Sequence, residues 1–222
     1  MDNTKKVFIE KLAMDVLFKY SISEIPANSL EKIAIGENID IIPVGTWDLK
    51  QCGRIMLVEN TGTVIFYNSM HKDTVKNFTI AHELGHYFLQ HLDNENSEII
   101  CLERDFQKIE HKKDEKEVEA NYFAACLLMP LNLLLPVFED FLSIVDRRGV
   151  LYVDNQRCNF LDYKKCVAHI QIKFYVTETA IRYRLINLGK IKFNMKFTNN
   201  LDYGINLEKY LTGYEKNDIK LY

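Results

Sequence analysis

The sequence predicts an α+β fold: helices set against a small sheet, followed by a mostly helical, helix-turn-helix-like C-terminal region. Three observations predict it. Apolar residues recur at helical spacing at the start of the chain and again from about Asp73 to Gln90. Two β-branched and aromatic runs within RIMLVENTGTVIFYN flank Asn60, Thr61 and Gly62, the pattern of a hairpin. A further helical run, EKEVEANYFAACLLM, extends from Glu115 to Pro130.

Taken in order, Val7, Phe8, Leu12, Met14, Val16 and Leu17 mark a first helix ending near Tyr20. A turn at Pro26 leads into SLEKIAIGEN, a short second helix closing near Gly36. NIDIIPVG reads as a buried strand stopped by Pro43 and Gly45. The hairpin follows, and after it the helix from Asp73. A polar, charge-dense connection from 92 to 114 has the length of a flap beside a site. After the Glu115 helix, NLLLPVFEDFLSIV adds helix beyond Pro136. A tyrosine-rich stretch over 150–165 comes next, then CVAHIQIKFYVTETAIRYRLINLGKI.

Of the 222 residues, 47% are hydrophobic and 27% charged, as in ordinary globular proteins. The N-terminus carries Asp2, Glu10 and Asp15 and no small-residue cleavage site, so no signal peptide is expected. No apolar run reaches the roughly 18 residues of a membrane span. A cytoplasmic location is expected. Five cysteines without a CxxC pair suit free thiols, each serving as a small buried hydrophobe. Charge is uneven: residues 1–141 hold 14 Lys+Arg against 23 Asp+Glu, and 142–222 hold 14 against 8. This suggests an acidic domain over 1–141 and a basic region over 142–222.

The chemistry concentrates in FTIAHELGHYFLQH, residues 78–91. Residues four apart on a helix differ by only about 40° around its axis, so His82 and His86 can share one metal ion. Glu83 sits beside them as a general base for an activated water. Zinc is the expected metal, one per chain. Gly85 costs roughly 1 kcal/mol against Ala within a helix, which implies a close neighbour at that point. A third ligand three turns on is ruled out, because Leu89 and Leu92 occupy those positions. His91 lies about 140° around from His86 and ends the helix or lines the cleft. The better source is the Glu115 helix. There Glu117 shares a face with Ala120, Asn121, Ala124 and Leu128, and the two alanines allow close approach to the HELGH helix. Glu117 is the expected ligand and Glu119 the alternative. Asn121 is placed to hydrogen-bond a ligating imidazole.

FTIAHELGHYFLQH together with EVEANYFAACLLMP resembles the ImmA/IrrE family of zinc metallopeptidases. The paired pieces, an AHELGH helix and then a glutamate, A-N-x-F-A and L-L-M-P, are all kept, and the resemblance covers residues 25–132. It implies a compact gluzincin-like domain in which His82, His86 and Glu117 hold zinc and Glu83 acts as base. It also implies cleavage of a helix-turn-helix transcriptional repressor, which releases silenced genes of a mobile element or stress response. The 92–114 and 150–165 segments depart from the family pattern.

In the basic region, Thr177 is a candidate N-cap and Gly189 a stop for a helix carrying Ala180, Ile181, Leu185 and Leu188. With CVAHIQIKF it forms a helix-turn-helix outline, placing Arg182 and Arg184 as candidate phosphate or partner contacts. A similar V-S/T-x-x-A ending with R-L-x-x-L-G occurs in many members of the family, where it packs beside the protease domain. Packing or substrate docking is favoured over DNA binding. Two readings remain beside the peptidase: a DNA- or regulator-binding protein with a structural or vestigial metal site, and a plain globular protein.

Overall fold

The computed structural model describes residues 1–59, 62–92, 97–102, 115–154 and 156–193. Helix α1 (Asn3–Lys19) is opened by Asp2, whose carboxylate accepts from the Lys5 N–H at 2.8 Å. Its buried face is Ile9, Ala13, Val16 and Leu17. Val7 and Phe8, which the apolar spacing puts inward, face outward at 69% and 54% exposure. A 3-10 turn (Pro26–Ser29) runs into α2 (Leu30–Gly36).

Strand β1 (Asp40–Val44) pairs in parallel with β3 (Gly62–Asn68), which is antiparallel to β2 (Gln51–Val58). The order is β1-β3-β2-β4, with β4 (Glu98–Leu102) antiparallel to β2. The expected hairpin is present, closing on Gly62 with φ +98°, although Asn60 and Thr61 lie outside the described residues. Strand β1 is not the buried strand expected. It is an edge, mostly exposed or half-exposed, and Pro43 lies within it because an edge strand can spare a donor. Part of the polar 92–114 connection is strand β4, while 93–96 and 103–114 lie outside the described residues.

Helix α3 (Asp73–Phe88) packs on β2 and β3 and, most extensively, on α4 (Glu115–Leu128). The latter is the central helix: Ala120 and every residue from Tyr122 to Met129 are buried. Helix α5 (Leu131–Ile144) starts before Pro136 rather than after it. Pro136 and Asn132, whose carbonyl the proline cannot meet, both lie on the exposed side, where that carbonyl is open to solvent. Strands β5 (Leu151–Val153) and β6 (Ile191–Phe193) form a small parallel pair. Between them lie α6 (Arg157–Phe174) and α7 (Glu178–Asn187).

The α6–α7 pair has the helix-turn-helix outline, joined through Tyr175 in the left-handed region, Val176 and Thr177. Thr177 Oγ1 accepts from Ala180 N–H at 3.2 Å. Gly189, with φ +65°, ends the run. The turn meets the second turn of α3, where Asn77 Nδ2 donates to Tyr175 O at 3.0 Å. Among the described residues one apolar cluster runs from Ile9 to Ile191, and the position 141/142, expected as a boundary, falls inside α5. No single helix among the described residues is long and apolar enough to cross a membrane. No disulfide joins the five cysteines, of which Cys158 alone is exposed.

Arg184 is a correction. Placed by the sequence as a phosphate contact, it is 0% exposed and turned inward. It donates through both terminal nitrogens to the Glu10 carboxylate and through Nε to Met129 O at 3.1 Å. Four residues after Ala180 and three after Ile181, it shares the buried face of α7. Its charge, which suggested a surface role, is answered by an acid on α1. Burial raises Glu10, but the Arg184 guanidinium outweighs it and holds the carboxyl below its ordinary value. Arg182 is half-buried.

Candidate metal centre

Every residue of α3 from Phe78 to His86 is buried, so the charged and polar side chains within it must be met by design or by a ligand. His82 and His86, one turn apart, bring their Nε2 atoms to 3.0 Å with rings edge-on at 76°. Glu117, from the start of α4, faces both: Oε2 is 3.3 Å from His82 Nε2 and Oε1 is 3.3 Å from His86 Nε2. The three donors lie within 4.8 Å of one another, a separation at which one cation can be held. Glu119, the alternative ligand, points elsewhere, toward Lys5 and His91.

The closeness of α3 and α4 comes from Gly85 and Ala120. A β-carbon on Gly85 would stand 3.1 Å from both Cα and O of Ala120. The neighbour implied by that glycine is therefore the ligand-bearing helix itself. Glu117 lies three residues before Ala120, on the same face, and so reaches the histidines.

The outer nitrogens are also held. Asn121 Oδ1 lies 3.0 Å from His82 Nδ1, as its position on α4 predicts. His91, expected to end the helix or line the cleft, brings its Nδ1 to 2.9 Å from His86 Nδ1 without joining the ligand set. The helix has already ended at Phe88. Gln90 takes φ +56° and folds His91 back, so that its N–H bonds His86 O at 2.9 Å.

The donor set fits a cation. A metal at the Nε2 atoms requires the ring protons on Nδ1, and each Nδ1 has an acceptor opposite it. Glu117 Oε2 has no hydrogen-bond partner among the described residues. Burial lowers His86 to about 4, leaving the imidazole neutral, as a ligand must be. Burial pushes the Glu117 carboxyl up, but the two imidazoles facing it outweigh this and hold it well below the carboxylate range.

Glu83 is 0% exposed, and neither carboxylate oxygen has a hydrogen-bond partner among the described residues. Burial and the nearby Glu117 charge push its carboxyl well above the ordinary 4.5. Space for it comes from Gly53 on β2, where a β-carbon would fall 2.7 Å from Glu83 Oε1 and 2.4 Å from Thr79 Cγ2. Opposite Gly53, Cys101 on β4 brings its thiol within 4.8 Å of His82 and Glu83 donor atoms. Sequence reasoning missed Gly53, Cys101 and the His91 contact. An isolated glycine inside a strand run was a usable signal of close approach. The other two depend on chain reversal and strand pairing.

Two helices pressed together at a glycine, with a histidine pair, a facing glutamate and a buried carboxylate beside them, form a group that could hold a metal ion in the HExxH arrangement. The family model for the IrrE N-terminal-like domain, Peptidase_M78, matches residues 39–185, and the chain belongs to that family. The match crosses from the helix-and-sheet part into α7, and the family is one of metallopeptidases. No curated protein matches the sequence.

Proposed function

We propose that the protein is a zinc-dependent endopeptidase that cleaves and thereby inactivates a helix-turn-helix transcriptional repressor, releasing mobile-element or stress-response genes. The observation that carries the catalytic part is the unpaired, buried Glu83 carboxylate next to the convergent His82, His86 and Glu117. The substrate class is supported by the family resemblance of the paired motifs.

His82, His86 and Glu117 would hold the zinc, and Asn121 would keep the His82 ring turned toward it. Bound there, zinc supplies Lewis-acid polarisation of water and of the scissile carbonyl. Glu83 then takes a proton from the attacking water and returns it to the leaving amine.

The test is digestion of a purified helix-turn-helix repressor, chosen from genes adjoining this one, by the wild-type chain, by Glu83→Gln and by chelator-treated protein. Cleavage by the wild type alone, with zinc retained in Glu83→Gln, is expected. Cleavage persisting in that variant would remove Glu83 from the role of base. Intact repressor in every arm, with cleavage of some other protein, would keep the peptidase and discard the substrate. DNA binding through the C-terminal pair loses one of its two arginines to the core, since Arg184 is buried.

A further inference from the structure

We infer that His91, with Glu119 and Lys5 behind it, is a positioning residue that fixes the ring and proton of His86 for metal binding. The inference rests on the zinc reading above and extends it to residues outside the ligand set. Four groups form a line from the surface to the centre. Lys5 Nζ on α1 lies 3.0 Å from Glu119 Oε2, Glu119 Oε2 lies 3.4 Å from His91 Nε2, and His91 Nδ1 lies 2.9 Å from His86 Nδ1. Exposure falls along it: Lys5 41%, Glu119 15%, His91 6% and His86 0%, by side chain.

The direction of every hydrogen bond follows from its outer end. An ammonium can only donate, and an ionised carboxylate can only accept. His91 must therefore donate to Glu119 through Nε2–H. A neutral imidazole carries one N–H, so His91 Nδ1 is an acceptor. Opposite it, His86 Nδ1 must be the donor, which leaves His86 Nε2 with a bare lone pair turned toward His82 and Glu117. The tautomer needed for metal ligation is thus set from the protein surface inward. The carboxylate at the far end also draws positive charge onto the ring and strengthens Nε2 as a ligand.

His91 is held in place by its backbone as well as its ring. Its N–H bonds His86 O at 2.9 Å, and Lys116 Nζ donates to its carbonyl at 2.9 Å. The His86 and His91 rings meet edge-on at 67°. Asn121 does the corresponding service for His82 directly from α4. The His91 route differs because it draws in α1, so docking of the N-terminal helix supports the metal centre.

The experiment uses the full chain loaded with zinc. Zinc affinity is measured by competition with a chromophoric chelator for wild type, His91→Leu, His91→Asn and Glu119→Gln, and ring tautomers are read from long-range proton–nitrogen NMR of 15N-histidine protein. His91→Leu is expected to bind zinc about 10–100-fold more weakly. His91→Asn is expected to recover most of that loss, because its side-chain oxygen can stand where Nδ1 accepts. In the wild type, protons are expected on Nδ1 of His86 and Nε2 of His91. Should His91→Leu not fold, the His91→Asn affinity and the wild-type tautomers decide. A proton on His91 Nδ1, or wild-type zinc affinity in a folded His91→Leu, overturns the inference alone. A wild type that takes up no zinc overturns the peptidase reading and this inference with it.

Discussion

Gly85→Ala tests whether the contact between α3 and α4 sets the position of the third ligand. In a helix interior the substitution brings about 1 kcal/mol of stability through backbone propensity. Here the new β-carbon would lie 3.1 Å from Ala120 Cα, 3.1 Å from Ala120 O and 3.2 Å from Phe123 Cδ1. Two of those atoms are backbone, and an unstrained carbon contact needs roughly 3.5–4.0 Å. The helices must therefore part by a few tenths of an ångström, and such overpacking costs about 1–3 kcal/mol. The net change should lie between about zero and 2 kcal/mol of destabilisation. Because Glu117 lies three residues before Ala120, the same displacement draws its carboxylate from the histidines, and zinc affinity should fall by about tenfold or more. Thermal melting of the metal-free protein and chelator competition give the two numbers. A variant about 1 kcal/mol more stable, with zinc affinity unchanged, would show that this contact does not set the ligand's position.

In metal-free protein, Glu83→Gln should raise stability, because Glu83 is fully buried and unpaired. Its carboxyl titrates well above 4.5 when folded, so its penalty is absent below about pH 4.5 and grows as pH rises toward the folded value. The gap should reach about 1–3 kcal/mol in melts taken across pH, and a gap that does not widen with rising pH would contradict the assigned burial. Arg184→Met leaves the half-buried Glu10 without its cation and should cost about 3 kcal/mol in urea unfolding. Adding Glu10→Leu should recover a large part of that, whereas an unchanged deficit would show that the pair is not what holds α7 to α1. His86, lowered to about 4 by burial, stays neutral in the fold where an exposed histidine would be charged. Its share of the stability is full above about pH 6.5 and is lost as pH falls from there toward 4. Replacing it by Gln should therefore flatten the melting profile of the metal-free chain in that window.

The parts legible in the sequence were those set by local periodicity. The HELGH helix, the Glu115 helix and the hairpin follow from spacing, and Glu117 and Asn121 could be placed because α4 must approach α3 through small residues. Features that depend on tertiary context were not legible. Val7 and Phe8 match the apolar rhythm of α1 as well as Ile9 and Ala13 do, and only packing chooses between the two faces. Pro43 reads as a strand stop, yet at an edge its missing N–H costs nothing. Arg184 carries a charge that suggests surface, but its partner Glu10 lies 174 positions away in sequence. His91 escaped because one left-handed residue, Gln90, reverses the chain after the helix ends.

The most direct measurement is zinc per chain in purified wild-type protein beside Glu117→Ala. Close to one zinc is expected in the wild type and sharply weakened binding in the variant, since the variant keeps the histidine pair but loses the carboxylate 3.3 Å from both Nε2 atoms. Little zinc in the wild type even after the metal is offered, or equal affinity in the two proteins, would contradict zinc ligation by Glu117.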